Sequence, residues 1–265
     1  MDLMRAWISK KKPARRWTSL RKFCEFCVLS EPDTEIPSKK LGRKAHPRST
    51  PFIYTPAQVQ ALLRAARDLG PKGSARGFTY ATFFGLVAAT GMRPGEAMRL
   101  MHKDIDWREE TISIRDSKGN RLRVIPVHRS VLDALEIYRK FRITIADDLV
   151  SVPFFIDDRL RKPLNHGRVN EAFRRIRMNA NITASPGHRQ PRPHDLRHTF
   201  ACRHLQRICE QRGDASPALL SLSVYMGHAS VRDTYWYLTG TPELLQFAAK
   251  RFELSAYRKE ENHEK

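Results

Sequence analysis

Apolar residues first recur at helical spacing at Trp17, Leu20, Phe23, Cys24 and Cys27, densely interleaved with Lys and Arg, which predicts one amphipathic helix or two. Nothing else in this first segment could bury such a face. Residues 31–51, EPDTEIPSKKLGRKAHPRSTP, lose the periodicity and are rich in Pro, Ser and basic residues, so they read as a linker. A start signal follows, with Thr55 as cap, Pro56 at the first helical position and Gln58 three residues after the cap. That helix should run to about Leu69 and stop at Gly70-Pro71. Residues 76–90 are apolar on nearly every side, through Phe78, Tyr80, Phe83, Phe84, Leu86 and Val87, which predicts a central buried helix ending at Gly91. Pro94 and Glu96 suit the first turn of the next helix, to about Leu100. Arg93 is thereby left on a tight turn beside a helix N-terminus, a place suited to an anion.

The period changes after Asp106. Thr111–Arg115 and Arg121–Val127 alternate as strands, and Ser117-Lys118-Gly119-Asn120 between them carries hairpin-turn chemistry, with Lys118 at the tip. Ser130 is the expected cap of a helix to about Arg142, and 153–164 reads as irregular with a short strand at Phe154-Phe155-Ile156. Val169, Phe173 and Ile176 mark a helix whose other face is Arg168, Arg174, Arg175 and Arg177, either following a polyanion or simply solvated. In PRPHDLRHTFACRHLQR, residues 191–207, His194 and Arg197 lie three apart on one helix face, while Leu196, Phe200, Ala201 and Leu205 sink into a core. Ser216-Pro217 begins a helix ending at Met226-Gly227, with His228 just beyond, and Ser230 restarts a short helix carrying Thr234, Tyr235, Trp236 and Tyr237. Thr241-Pro242-Glu243 caps a last amphipathic helix from about 242, with Leu244, Leu245, Phe247, Ala248 and Phe252 on its sticky side. The fold class is therefore mixed, mainly α with a small antiparallel β-hairpin or sheet. Residues 1–50 form a helical segment plus basic linker, and 51–265 form the main domain.

Charge narrows the function. Lys and Arg outnumber Asp and Glu by 48 to 28, a net charge of +20 spread along all 265 residues, which implies a polyanionic partner, most simply nucleic acid. No apolar run has the length of a membrane span and the first residues lack a secretory signal, so no membrane partner and a cytoplasmic, nucleoid-associated location are expected. Cys24, Cys27, Cys202 and Cys209 have no His at zinc-finger spacing and read as reduced thiols, so neither a metal nor a cofactor is implied.

The unusual polar positions, in order, are Arg93, Lys118, His194, Arg197, His228 and Tyr237. Ala89-Thr90-Gly91-Met92-Arg93-Pro94-Gly95-Glu96, the hairpin Lys118, His194-Asp195-Leu196-Arg197-His198-Thr199-Phe200-Ala201, and Met226-Gly227-His228 followed nine residues later by Tyr237 stand in one order over residues 52–245. In these motifs the chain resembles the catalytic domain of the tyrosine recombinase, or phage integrase, family. The resemblance implies the fold of DNA breaking and rejoining enzymes and a metal- and ATP-independent site-specific recombinase that forms a 3′-phosphotyrosyl intermediate on double-stranded DNA.

In that reading Tyr237 is the nucleophile and Arg93 and Arg197 offer bidentate donors to the phosphate. His194 is the candidate base, because a phenol is mostly protonated at neutral pH. Lys118 would protonate the departing 5′-oxygen, and His228 would donate to the phosphate and orient it. Tyr235 is a rival nucleophile that the family spacing disfavours. Arg121 and Arg123 are rivals of Lys118 for the phosphate that cannot readily serve as acids. His198 and His204 read as structural or solvated, and Glu96 and Asp195 as holding basic neighbours in place. The family also implies a homotetramer on DNA assembled through the C-terminal helix. Its members carry a larger N-terminal helical domain that clamps DNA, whereas only about fifty residues precede Thr55, which implies a shortened core-binding domain and weakened DNA binding. A type IB topoisomerase-like enzyme using nearly the same residues and a non-catalytic DNA-binding remnant are the alternatives.

Overall fold

The computed structural model describes residues 13–38, 50–71, 74–115, 122–143, 152–157, 162–212, 216–228, 230, 233, 234 and 237. The chain divides into two compact units, Met1–Ser49 and Thr50–Lys265.

In the first unit, α1 (Pro13–Cys27) is the expected helix. Its Trp17 Nε1 donates to the Ser38 carbonyl at 3.2 Å and its Arg21 Nη1 to the Pro37 carbonyl at 2.8 Å, so the first part of the expected linker folds back on the helix. Phe23 and Phe26 remain exposed.

In the second unit, α2 (Pro56–Arg67) begins as its sequence requires. Thr55 Oγ1 accepts from the Gln58 N–H and Gln58 Oε1 from the Thr55 N–H, which satisfies two donors that a helix start otherwise leaves open. Next, α3 (Ala75–Thr90) is the buried centre. Its Phe83 ring stands edge-on to Phe155 at 5.4 Å and its Phe84 ring edge-on to Phe173 at 5.1 Å, and burying such a side chain stabilises by about 1.5–3 kcal/mol. After α3 come α4 (Pro94–Arg99) and a 3-10 turn at His102–Asp104.

A three-stranded antiparallel sheet follows in the order β1 (Ile105–Asp106), β2 (Thr111–Arg115), β3 (Leu122–Pro126), with Ile112 opposite Ile125 and Arg115 opposite Leu122. Two residues of β1 are too few to show a period, so the sequence predicts a hairpin and the fold adds a strand. On β3 the alternation is inverted relative to a simple apolar core: Leu122 and Val124 are 60% and 55% exposed, and Arg123 shares the inward face with Ile125.

Helix α5 (Arg129–Ile143) starts one residue before the expected cap at Ser130. The His128 ring supplies the missing acceptor, its Nδ1 taking the Ser130 N–H at 3.2 Å. The expected strand at 154–156 is displaced: β4 (Ile156–Asp157) pairs with β5 (Lys162–Pro163), while Phe154 and Phe155 turn into the core. In α6 (His166–Asn179) the arginine face is partly internal. Arg168 binds Asp157 at 2.6 Å, and buried Arg177 donates to the Ile182 carbonyl and Gln190 Oε1. Finally α7 (Pro193–Arg212) and α8 (Ser216–Met226) enclose a second apolar cluster of Ala201, Cys202, Leu205, Cys209, Leu219, Leu222 and Met226, which also holds Tyr237. No helix among the described residues is long and apolar enough to cross a membrane.

Candidate active site

Two of the helices that carry candidate residues begin with the same four-residue form, Arg-Pro-X-acid. In Arg93-Pro94-Gly95-Glu96 the Arg93 N–H donates to Glu96 Oε2 at 2.8 Å, and in Arg192-Pro193-His194-Asp195 the Arg192 N–H donates to Asp195 Oδ2 at 2.7 Å. Proline loses no hydrogen bond at a first helical position, and the acid three residues after the cap closes the turn. The first turn of α4 thereby presents Arg93, and that of α7 presents His194 with Arg197 one turn later.

The two arginines meet over two successive peptides. Arg197 is 1% exposed, and its Nη1 donates to the Gly91 carbonyl at 2.8 Å and its Nη2 to the Met226 carbonyl at 2.6 Å. Arg93 Nη2 donates to the next carbonyl, that of Gly227, at 2.9 Å. Consecutive carbonyls at the end of α8 are thus held by the two guanidiniums, which draws the adjacent His228 to them. The turns are left-handed at both helix ends, with φ of 63° at Gly91 and 65° at Gly227, a conformation that costs a side chain roughly 1–2 kcal/mol. A Cβ at Gly91 would lie 2.4 Å from the Phe200 ring, so α3 and α7 can approach this closely only over glycine. Burial lowers the Arg197 guanidinium to about 10, with Arg93 adding to the effect, and it stays charged at neutral pH.

Tyr237 is 3% exposed and stands among the same groups. Its ring stacks on His228 with centroids 5.9 Å apart and tilts against His198 at 5.5 Å. Burial raises the phenol, while the charge of the Arg197 guanidinium beside it pulls the other way. His228 Nδ1 is 2.8 Å from Thr234 Oγ1, a wholly buried hydroxyl that fixes the ring. Ring contacts also run from His194 to His198, at 4.8 Å. Burial first, then Arg197 and its cationic neighbours, lower His194 and His228 each to about 4, and burial, His194 and Arg197 lower His198 to about 3. All three imidazoles are neutral near pH 7. Beside them a cleft of about 520 Å³ opens along Arg93, Arg99, His166, Arg189, Arg192 and His194.

Arg93, His194, Arg197, His228 and Tyr237 are therefore brought together. Lys118, Arg121, Tyr235, Trp236 and the expected helix from 242 lie outside the described residues. The sequence profile described as the phage integrase family matches residues 53–243.

The chain belongs to the phage integrase family of tyrosine recombinases. It is 31% identical over 261 residues to y4rB of Sinorhizobium fredii, which carries an integrase/recombinase name, covering 95% of this chain and 83% of that one. It is 26% identical over 231 residues to the tyrosine recombinase XerC of Chlamydia trachomatis, covering 86% of this chain and 67% of that one. Its fold is that of the XerH site-specific recombinase in a post-cleavage complex with a palindromic difH substrate, with a TM-score of 0.67 at 18% identity over 91% of this chain and 67% of that one.

Two further residues of this recombinase stand beside the group. His198, read as structural or solvated, touches both His194 and Tyr237. Arg123, read as a rival for the phosphate, instead forks onto Glu96 at 2.7 and 3.0 Å. No local signal announced this for Arg123: alternation alone would send apolar Leu122 and Val124 to the core and Arg123 to solvent, the reverse of what is seen.

Proposed function

We propose that this recombinase cuts and rejoins double-stranded DNA at a specific site through Tyr237. The phenolic oxygen attacks a backbone phosphorus, a Tyr–O–P bond forms and the bond from phosphorus to the 5′-oxygen breaks. The products are a 3′-phosphotyrosyl ester and a free 5′-hydroxyl. Attack by another strand's 5′-hydroxyl reverses the step, and because one ester replaces another, neither ATP nor a further reactant is consumed. Arg93 and Arg197 meet the charge on the non-bridging oxygens, a task that metal ions perform in many phosphoryl-transfer enzymes, so the chemistry runs without a metal. His194 receives the phenol proton, with His198 in contact with both rings. Lys118 delivers a proton to the departing 5′-oxygen, and His228 donates to the phosphate.

Residues 51–265 carry the chemistry in this reading, and residues 1–50 add a helix and a basic linker to the grip on DNA. Four protomers join two duplexes, with the segment from about 242 docking on a neighbour; the mass of the assembly on two duplexes tests this. XerC is named a tyrosine recombinase and XerH was captured on a DNA substrate, which supports the same substrate class here.

One observation carries the proposal: Tyr237 stands, within a single chain, against Arg197 and His228. The target is found by recovering DNA covalently attached to the protein in cells and sequencing the trapped ends. On a nicked duplex of that sequence, which loses its leaving strand after cleavage, the chain should accumulate a covalent adduct. Tyr237→Phe should abolish the adduct and leave DNA affinity intact. An adduct that persists in the Phe variant, or none from the unsubstituted chain, refutes the assignment.

A further inference from the structure

We propose that Arg123 is a positioning residue for this reaction: by holding Glu96 it keeps the positive charge of Arg93 available to the phosphate and aligned with His228. The proposal rests on the reading of Tyr237 as the nucleophile and Arg93 as a phosphate ligand.

Glu96 is nearly buried, its side chain 3% exposed, and its carboxylate accepts four hydrogen bonds. Oε1 takes Arg93 Nη1 at 2.8 Å and Arg123 Nη1 at 3.0 Å, while Oε2 takes the Arg93 N–H at 2.8 Å and Arg123 Nη2 at 2.7 Å. Burial alone would raise this carboxyl, yet the bonds and charge of Arg123, with the hydrogen bonds of Arg93, hold it down to about 2. One carboxylate and two guanidiniums leave a net charge of +1. Without Arg123, Arg93 and Glu96 would form a neutral pair, and an arriving phosphate would meet only the net charge of Arg197.

The alignment follows from the remaining contacts. Arg123 Nε donates to the Tyr225 carbonyl at 3.1 Å, and a Cβ at Gly227 would lie 2.8 Å from Arg123 Nη1 and 3.0 Å from its Cζ. The guanidinium is thus packed against the peptide whose carbonyl holds Arg93 and whose next residue is His228. It fastens β3 to the first turn of α4 and the last turn of α8, the two segments that present Arg93 and His228. With its fork on Glu96 and its Nε on Tyr225, Arg123 acts through these neighbours.

The test measures adduct formation in a single turnover on two nicked duplexes, one with the ordinary scissile phosphodiester and one with an uncharged methylphosphonate in its place. Arg123→Met should slow the phosphodiester reaction about 100-fold, the scale of losing one charge-stabilising group, while DNA affinity stays within about 3-fold. Arg123→Lys, which keeps the charge and loses the fork, should fall between, and it carries the test if the Met variant does not fold. On the methylphosphonate, which carries one negative charge fewer than the phosphodiester in the ground state and throughout the reaction, both variants should lie much closer to the unsubstituted chain, as Arg93→Ala should. Equal slowing on both substrates, or no slowing on the phosphodiester, overturns the proposal. If Arg93→Ala is not relieved by the neutral substrate, or the unsubstituted chain forms no adduct, the reading of the site falls first and the role of Arg123 with it.

Discussion

At the scale of single residues, three imidazoles share the site with two guanidiniums and stay uncharged because burial and those cations disfavour a further positive charge. A base must be deprotonated to accept the phenol proton, and His194, lowered to about 4, meets that condition far below the ordinary histidine range. The single-turnover rate of adduct formation should therefore hold down to about pH 5.5 and fall only below it, the bound phosphate raising His194 somewhat. A fall centred at the ordinary histidine value of about 6.5 would contradict this assignment. Stability should move in the same direction. The unfolded chain binds more protons than the folded one between the ordinary histidine pKa and about 4, so the contribution of these residues is complete above the former and lost as pH drops through the latter. Denaturant midpoints at successive pH values check the sign. The sequence motif was enough to nominate His194 and Arg197; it said nothing of their depressed affinity for protons, which comes first from burial in the folded protein and then from the guanidiniums beside them.

At the scale of elements, the site hangs on two helix ends. Gly91 ends α3 and Gly227 ends α8, both left-handed, and the carbonyl of each accepts from an arginine. Gly227→Ala would combine a left-handed alanine with a Cβ 2.8 Å from Arg123 Nη1. We expect a loss of roughly 1–2 kcal/mol in unfolding free energy from the backbone alone, and slower adduct formation as Arg123 and His228 are pushed apart. Thermal melts together with the adduct assay read both effects, and an unchanged variant would argue against the packing described. These helix ends were legible, since a glycine after an apolar run announces a stop, and after Gly91 the following Pro94-Gly95-Glu96 announces a restart. The cap of α5 was less so, because His128 takes the role expected of Ser130. Strand β1 was not legible at all, since two residues pair with β2 only once the sheet exists.

At the scale of the whole molecule, a net charge of +20 suits a polyanionic partner. Each phosphate neutralised by Lys or Arg releases counterions, so log affinity for DNA should fall against log salt with a slope of about −0.9 per contact. Titrations across a series of salt concentrations should give a slope steeper than about −4, for several contacts along the cleft and its surroundings. A flat response would mean that the charge serves something else.

What the sequence determined by itself was the order and type of most elements, the chain's own large positive charge and the identity of five residues that converge, because periodicity, caps, short motifs and composition need no knowledge of the fold. Tertiary structure alone decided how they converge: that Arg93 and Arg197 grip the successive carbonyls of Gly227 and Met226, that Tyr237 lies against His228 and His198, and that Arg123 turns inward to Glu96. Those contacts join residues up to 134 positions apart. A carboxylate, a carbonyl and a guanidinium so distant in sequence acquire a shared charge balance only when packing has removed the water between them.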